Sequence, residues 1–366
     1  MGVQTAEASE LRVGPPPTPP GRVTGLMVVA GAAALLAALA AHRAIVAVVG
    51  LAEDRTAPLV AIEWVVTLVA LVPVVPVVAA ALRARSRGRH LAAGDLVAAR
   101  SEAAAGRERA SIALGWALAV LLMAALLGFV AANDGAVAHT FLKWEFIQST
   151  WRPVAEGFWI NIQVSVGAEV LVLVLGLVVA IMRLVGGPAG RPLRWLSTAY
   201  VDIFRAIPSI IVLYLVGFGL ALAEVPVIKD LTPLWLAIVA LTLTYSAYVA
   251  EVYRAGIESL HPSQWAAARS LGLSYGMTLR TVIVPQAVRR IVPPLLNDFV
   301  GLQKDTALIG VMGVADAFTR AQLESSDVFN LTPVIVVAVL FVIITIPQAR
   351  FVDRMIAREQ RKSGRA

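Results

Sequence analysis

Apolar residues in this chain arrive in long blocks, separated by short polar intervals. Each block is roughly 20 residues, the length an α-helix needs to cross about 30 Å of hydrocarbon. The blocks fall at 23–42, 60–82, 112–132, 161–182, 207–222, 234–248, 292–314 and 332–346. The pattern therefore predicts an all-α, polytopic membrane protein with about eight transmembrane helices. One stretch departs from it. Between Tyr248 and Val314 charge, Gly and Pro stand where they break a membrane helix. A polar, helix-forming segment between two spans must face water.

Within that stretch the local signals predict a bent pair of short helices. Pro262 suits a first helical turn, where its missing N–H would be unpaired anyway. Residues 263–271 are good or tolerable helix formers. Gly272 supplies the left-handed residue that ends the first helix. Ser274 can cap a second helix, Tyr275–Val284, which Pro285 should end. Ala266, Ala267 and Ala268 give the first helix a thin face that another surface can approach closely.

Composition agrees with a membrane location. Of 366 residues, 58% are hydrophobic and 15% charged, against about a quarter charged in soluble domains. The chain has no Cys, so disulfide and thiolate chemistry are excluded. The net charge of +7 fits basic cytoplasmic loops better than nucleic-acid binding. One set of alternate loops holds Arg83–Arg109, Arg183–Arg205, Arg254–Arg290 and a basic tail from Arg350 to Arg365. The opposite set holds only Arg43, Arg55, Lys143, Arg152, Lys229 and Arg320. This asymmetry places both termini and the polar stretch in the cytoplasm, and a plasma-membrane location is expected.

Residues 1–22, with Gly14–Gly21 reading GPPPTPPG, are expected to be a disordered cytoplasmic tail. The block after Arg22 could pass for a signal peptide, but its apolar run is long for one. The basic segment Arg83–Arg109 suggests a boundary, with residues 23–110 an accessory membrane region and 111–366 a working core.

Motifs for chemistry are missing. There is no G-x-x-x-x-G-K-[ST] loop to bind ATP, and no G-x-S-x-G nucleophile. The four His residues are scattered singly, so no metal site or cofactor is expected. Gly217-Phe218-Gly219 lies in an apolar span and suits close helix packing better than a dinucleotide. Asn330-Leu331-Thr332 matches a glycosylation sequon that arises often by chance.

Polar residues near the spans are site candidates, since charge in hydrocarbon is costly. Glu251 with Arg254, and Asp202 with Arg205, are spaced to pair on one helix face and read as structural ion pairs. Glu169 should face protein or a pore. Asp298 and Asp305 share a face, and Lys304 lies about 100° round from Asp305. With Asn297 they could line a path for a zwitterion or form a buried network joining helices or subunits. The segment Asp134–Phe158, with Trp144, Trp151 and Phe158, is a candidate docking surface on the outer side or an interfacial aromatic anchor.

The polar stretch resembles the loop of ABC importer permease subunits, EAA-x-x-x-G-x9-I-x-L-P. The matching residues are Ala266-Ala267-Ala268, Gly272, Val282, Val284 and Pro285. Ala266 stands where the family has Glu, and Val replaces both Ile and Leu. The flanks resemble the polar amino-acid uptake permeases: Tyr248-x-x-Glu251-x-x-Arg254-x-Gly256-Ile257, Gln264, Pro285-Gln286-Ala287, Pro293-Pro294-x-x-Asn297 and Lys304-Asp305-Thr306. Upstream, Tyr200-x-x-x-Phe204-Arg205-x-x-Pro208 is similar too, and the likeness runs from Trp159 to Arg354. It implies a five-helix permease core. Its bent coupling helix, with Gln264, Ala266, Ala267, Ala268, Gly272 and Pro285, would dock on a separate cytoplasmic ATPase. It also implies an extracytoplasmic amino-acid-binding protein, a second permease subunit, identical or paralogous, and an amino-acid substrate. The chain itself would make no bonds. The rival readings are a stand-alone ion-coupled secondary transporter, and a membrane-embedded enzyme or scaffold.

Overall fold

The computed structural model describes residues 23–52 and 56–363. The expected tail at 1–22, Arg55 and Arg365 lie outside those residues. Every regular element among the described residues is helical. The chain divides into two compact units, Met1–His139 and Thr140–Ala366.

The first unit contains α1 (Thr24–Val49), α2 (Ala57–Val69), α3 (Val74–Ala92) and most of α4 (Leu96–Phe141). Asp95 caps α4 by accepting from the Ala98 N–H at 2.9 Å. Near its end α4 breaks at residues 132–135, where Asn133, Asp134 and Gly135 take positive φ. The unit packs through alanine: Ala30, Ala80, Ala110 and Ala113 are each 0% exposed. Lipid tails are as apolar as leucine, so membrane helices associate by close van der Waals contact, which small residues permit. Leucines and valines such as Leu35, Leu36, Leu68 and Leu122 point outward instead.

The second unit is organised around α5 (Trp144–Leu184) and α9 (Pro233–Glu258). A Cβ on Gly176 would lie 2.7 Å from Val249 Cγ1, so these two helices meet backbone to side chain. Val164, Val172, Leu241 and Leu302 form the buried core between them and their neighbours. Between α5 and α9 lie α6 (Arg191–Ala206), α7 (Ser209–Tyr214), a π-helical turn Leu215–Gly219 and the single turn α8 (Leu220–Leu222). Pro208 separates α6 from α7, and the chain bends there by 104°. After α9 come α10 (Pro262–Ser270), α11 (Tyr275–Thr278), a π turn Leu279–Ile283 and α12 (Val284–Asp305). A 3-10 helix Thr306–Met312, α13 (Ala317–Val328) and α14 (Thr332–Ser363) complete the chain.

Four expectations are modified. Length and apolarity single out five stretches able to cross a membrane, or six with the bent pair. Two of the eight expected spans run together in the stretch Leu96–Leu184. The expected span at 292–314 is not one apolar helix: it carries five polar residues from Asn297 to Asp305 and changes to a 3-10 helix at Thr306. Pro285 does not end a helix. The backbone continues from Tyr275 to Asp305, because the π turn just before Pro285 widens the helix where the ring would meet a carbonyl. Phe158 is core, 7% exposed, edge-on to Phe341 with centroids 5.0 Å apart. Trp144 and Trp151 are exposed.

Candidate coupling elbow and polar interior

The elbow forms from the residues that predict it. His261 caps α10, its Nδ1 accepting from the Ser263 N–H at 3.2 Å, and Pro262 occupies the first turn. The helix ends in a Schellman turn. Gly272 N–H donates to Arg269 O at 3.0 Å and Leu273 N–H to Ala268 O at 3.3 Å. Gly272 takes φ +80, which only glycine adopts without strain. Ser274 Oγ then accepts from the Met277 N–H at 3.3 Å and starts α11.

The elbow's two faces differ. Trp265 turns inward toward Leu260, Ile283, Ala287 and Ile291, and Ala268 is buried. Gln264, Ala266, Ala267 and Leu271 face outward, with Leu271 81% exposed. A bulky apolar side chain is held out beside two alanines, uncovered by the described residues. The elbow is also fixed to the spans. Arg290 Nη1 donates to Ser259 O at 2.6 Å, and Gln286 Nε2 to Gln264 Oε1 at 3.4 Å. A Cβ on Gly256 would lie 2.1 Å from Ile291 Cγ1, so α9 and α12 touch where the elbow leaves them. α10 is thus tied to both helices.

Above the elbow sits a charge network that sequence spacing shows only in part. Arg254 bonds Glu251 through Nε at 3.2 Å and again through Nη2, and also bonds Glu258. Arg183, at the end of α5, donates to Glu251 at 2.5 Å. Glu251 thus joins α5 to α9. Asp202 and Arg205 stand apart from each other. The Arg205 guanidinium lies over the Tyr248 ring, 5.5 Å from its centroid, and within electrostatic reach of Asp298.

The polar positions of α12 fall into two stripes. Asp298 and Asp305 are half-buried, whereas Asn297 and Lys304 are exposed. Glu169 is half-buried and interacts electrostatically with Asp298 and Tyr253. The Tyr245 hydroxyl lies beside Asp305. Asp298 Oδ2 is buried and has no hydrogen-bond partner among the described residues. The structure therefore groups Glu169, Asp298 and Asp305 and leaves Lys304 on the neighbouring stripe.

A second polar centre escapes sequence reading. Asn161 on α5 donates to Thr306 O at 2.9 Å and to Asp316 Oδ2 at 3.1 Å. Its Oδ1 accepts from the Ala317 N–H at 3.0 Å. Asp316 caps α13 through the Thr319 N–H at 3.0 Å. All these groups are buried except Thr319, and the partners are about 150 residues apart, beyond any local pattern. Among the described residues no cluster of three His, Cys, Asp or Glu could hold a metal.

A profile of the family described as "Binding-protein-dependent transport system inner membrane component" matches residues 173–361. That is more than half of the chain. The chain belongs to this family. The inner membrane component assignment covers the elbow, the Glu251 network and the α12 stripes, and lies wholly within the second unit. Among its relatives is the probable glutamine ABC transporter permease protein GlnM of Bacillus subtilis (strain 168). It is 38% identical over 193 residues, which are 52% of this chain and 86% of the relative. The glutamate/aspartate import permease protein GltK of Escherichia coli O6:H1 is 34% identical over 183 residues, 49% of this chain and 80% of the relative. A solved structure described as "Crystal structure of an amino acid ABC transporter with histidines" is 27% identical. It aligns over 59% of this chain and 99% of that chain, with a TM-score of 0.54.

Proposed function

We propose that this chain is the permease subunit of an ATP-driven importer for polar amino acids, with α10–α11 as the joint to a separate ATPase. The carrying observation is the elbow itself. It is a short helix with an exposed alanine–leucine face, stopped by a Schellman turn and locked to two bundle helices. The names of the relatives supply the substrate class and the ATP-driven mechanism. In this reading the ATPase surface receives Ala266, Ala267 and Leu271, and its closure moves α9 and α12 together.

The remaining assignments follow from the same reading. A second permease subunit completes the pathway, identical or paralogous. An extracytoplasmic binding protein delivers the amino acid. Both termini lie in the cytoplasm, a reading that the basic loops support. Glu251, Arg254 and Arg183 hold helices together. Glu169, Asp298 and Asp305 line the path, with Asn297 and Lys304 beside them. The first unit is accessory to this core.

The test is uptake of labelled amino acids in proteoliposomes containing the chain, its ATPase and its binding protein. Gly272→Pro, or deletion of Pro262–Gly272, should abolish uptake while the chain still inserts and elutes as a folded species. Normal uptake by either variant, or uptake driven by an ion gradient with no ATPase present, would sink the proposal.

A further inference from the structure

The hairpin that joins α3 to α4 carries an excess of positive charge outside the family match. Residues 83–109 hold seven arginines against Asp95, Glu102 and Glu108. One arginine is neutralised: Arg83 donates to Glu102 at 3.0 and 3.2 Å, clasping the two helices. Arg87 and Arg100 are half-buried and engaged in contacts of their own. Arg85, Arg89, Arg107 and Arg109 are exposed, and none pairs with a described carboxylate.

Their placement is specific. Arg85 and Arg89 are one turn apart on α3, where like charges destabilise a helix unless something offsets them. The Arg83–Glu102 clasp sets the register of the antiparallel helices. A Cβ on Gly106 would lie 3.4 Å from Arg83 Cβ, so Arg107 and Arg109 stand beside the last apolar turn of α3. Leu82, which ends that turn, is 57% exposed, as a lipid-facing residue is. All four arginines thus lie within seven residues of Leu82 on α3 or Ile112 on α4, about 10 Å or less along the helix at 1.5 Å per residue. The base is rigid, because Ala80, Ala110 and Ala113 are wholly buried. A fixed set of uncompensated guanidinium groups at headgroup depth meets phosphate oxygens by geometry and by charge.

We propose that the α3–α4 hairpin is a docking surface for anionic phospholipid headgroups of the leaflet it faces. The commitment to lipid over a soluble polyanion rests on depth. Arg107 and Arg109 precede the apolar run of α4 directly, where a bilayer phosphate is already present.

The test uses the full-length chain in mixed vesicles of phosphatidylglycerol and phosphatidylcholine. Lipid retained after mild extraction is read by native mass spectrometry. The wild type should enrich phosphatidylglycerol, and rising salt should reduce the enrichment. A variant with Arg85→Gln, Arg89→Gln, Arg107→Gln and Arg109→Gln should lose it by about tenfold or more. Lysine at the same four positions should keep most of it. Glu108→Gln, which removes an exposed acid from the same surface, should raise it. Equal retention of both lipids by the wild type overturns the proposal, as does a folded Gln variant that still enriches phosphatidylglycerol. If the Gln variant does not fold, the salt series and Glu108→Gln decide. No response in either overturns the proposal. So does loss of enrichment when the purified ATPase is added, since the surface would then belong to a protein.

Discussion

Asn161 offers the sharpest test of how the second unit holds together. Substituting Asn161→Ala removes the donor to Thr306 O and Asp316 Oδ2, and the acceptor for the Ala317 N–H. Asn161 is 2% exposed and Asp316 is 0% exposed, so water cannot take over freely. Three groups lose a partner: the Thr306 carbonyl, one Asp316 carboxylate oxygen and the Ala317 amide N–H. Each buried group left unpaired costs about 1–3 kcal/mol. Interhelical hydrogen bonds in membranes average nearer 0.6 kcal/mol, because the unfolded state in lipid also finds partners. Together these place the loss at about 2–4 kcal/mol. For a unit the size of Thr140–Ala366 that is a fall in melting temperature of about 4–16 °C. Thermal unfolding in detergent, read by size exclusion after heating, measures it. Asn161→Asp is the control that separates bonding from volume. It keeps an acceptor for Ala317 but sets a second carboxylate beside Asp316, so it should melt below Asn161→Ala. A fall under about 2 °C for Asn161→Ala, or an Asp variant as stable as wild type, would refute the reasoning.

Other substitutions probe other joints. A Cβ at Gly157 would lie 2.7 Å from Asp316 O and Ala317 N, both backbone atoms, so Gly157→Ala should cost about 1–3 kcal/mol in the same assay; wild-type melting would show that α13 yields. Glu251→Ala leaves Arg183 and Arg254 facing each other without their shared carboxylate, whereas Arg183→Ala leaves the Glu251–Arg254 pair intact. The first should be the more destabilising by about 1–2 kcal/mol, and equal effects would remove Glu251 from the centre of that network. Asp298→Asn should lower uptake by about tenfold or more if Asp298 meets the substrate's charge, with melting unchanged; full uptake would make the stripe structural. Lys304→Ala, on the exposed stripe, should lower uptake less than Asp298→Asn, which the same flux assay ranks.

What could be read from the sequence was local. The elbow was legible because each of its devices is written within a few residues: Pro262 at the start, Gly272 at the stop, Ser274 at the restart. The facing of α12 was legible too, since Asp298 and Asp305 are seven residues apart and both turn inward. Tertiary partners were not. Glu251 finds Arg183 across 68 residues, and Asn161 finds Asp316 across 155; no spacing rule reaches so far. Asp202 and Arg205 show the converse, a spacing that permits a pair when the guanidinium prefers the Tyr248 ring. Pro285 failed as a stop signal because the five residues before it adopt a wide turn that single-residue preferences do not encode.

That wide turn at Leu279–Ile283 keeps one surplus residue in reserve just ahead of α12. Adjacent helical residues point about 100° apart. Drawing the reserve into a regular turn would slip the screw by one notch and bring Asn297 and Lys304 to where Asp298 and Asp305 now look. A single rod thus has an acidic aspect and, one notch round, an aspect that carries Asn297 and Lys304.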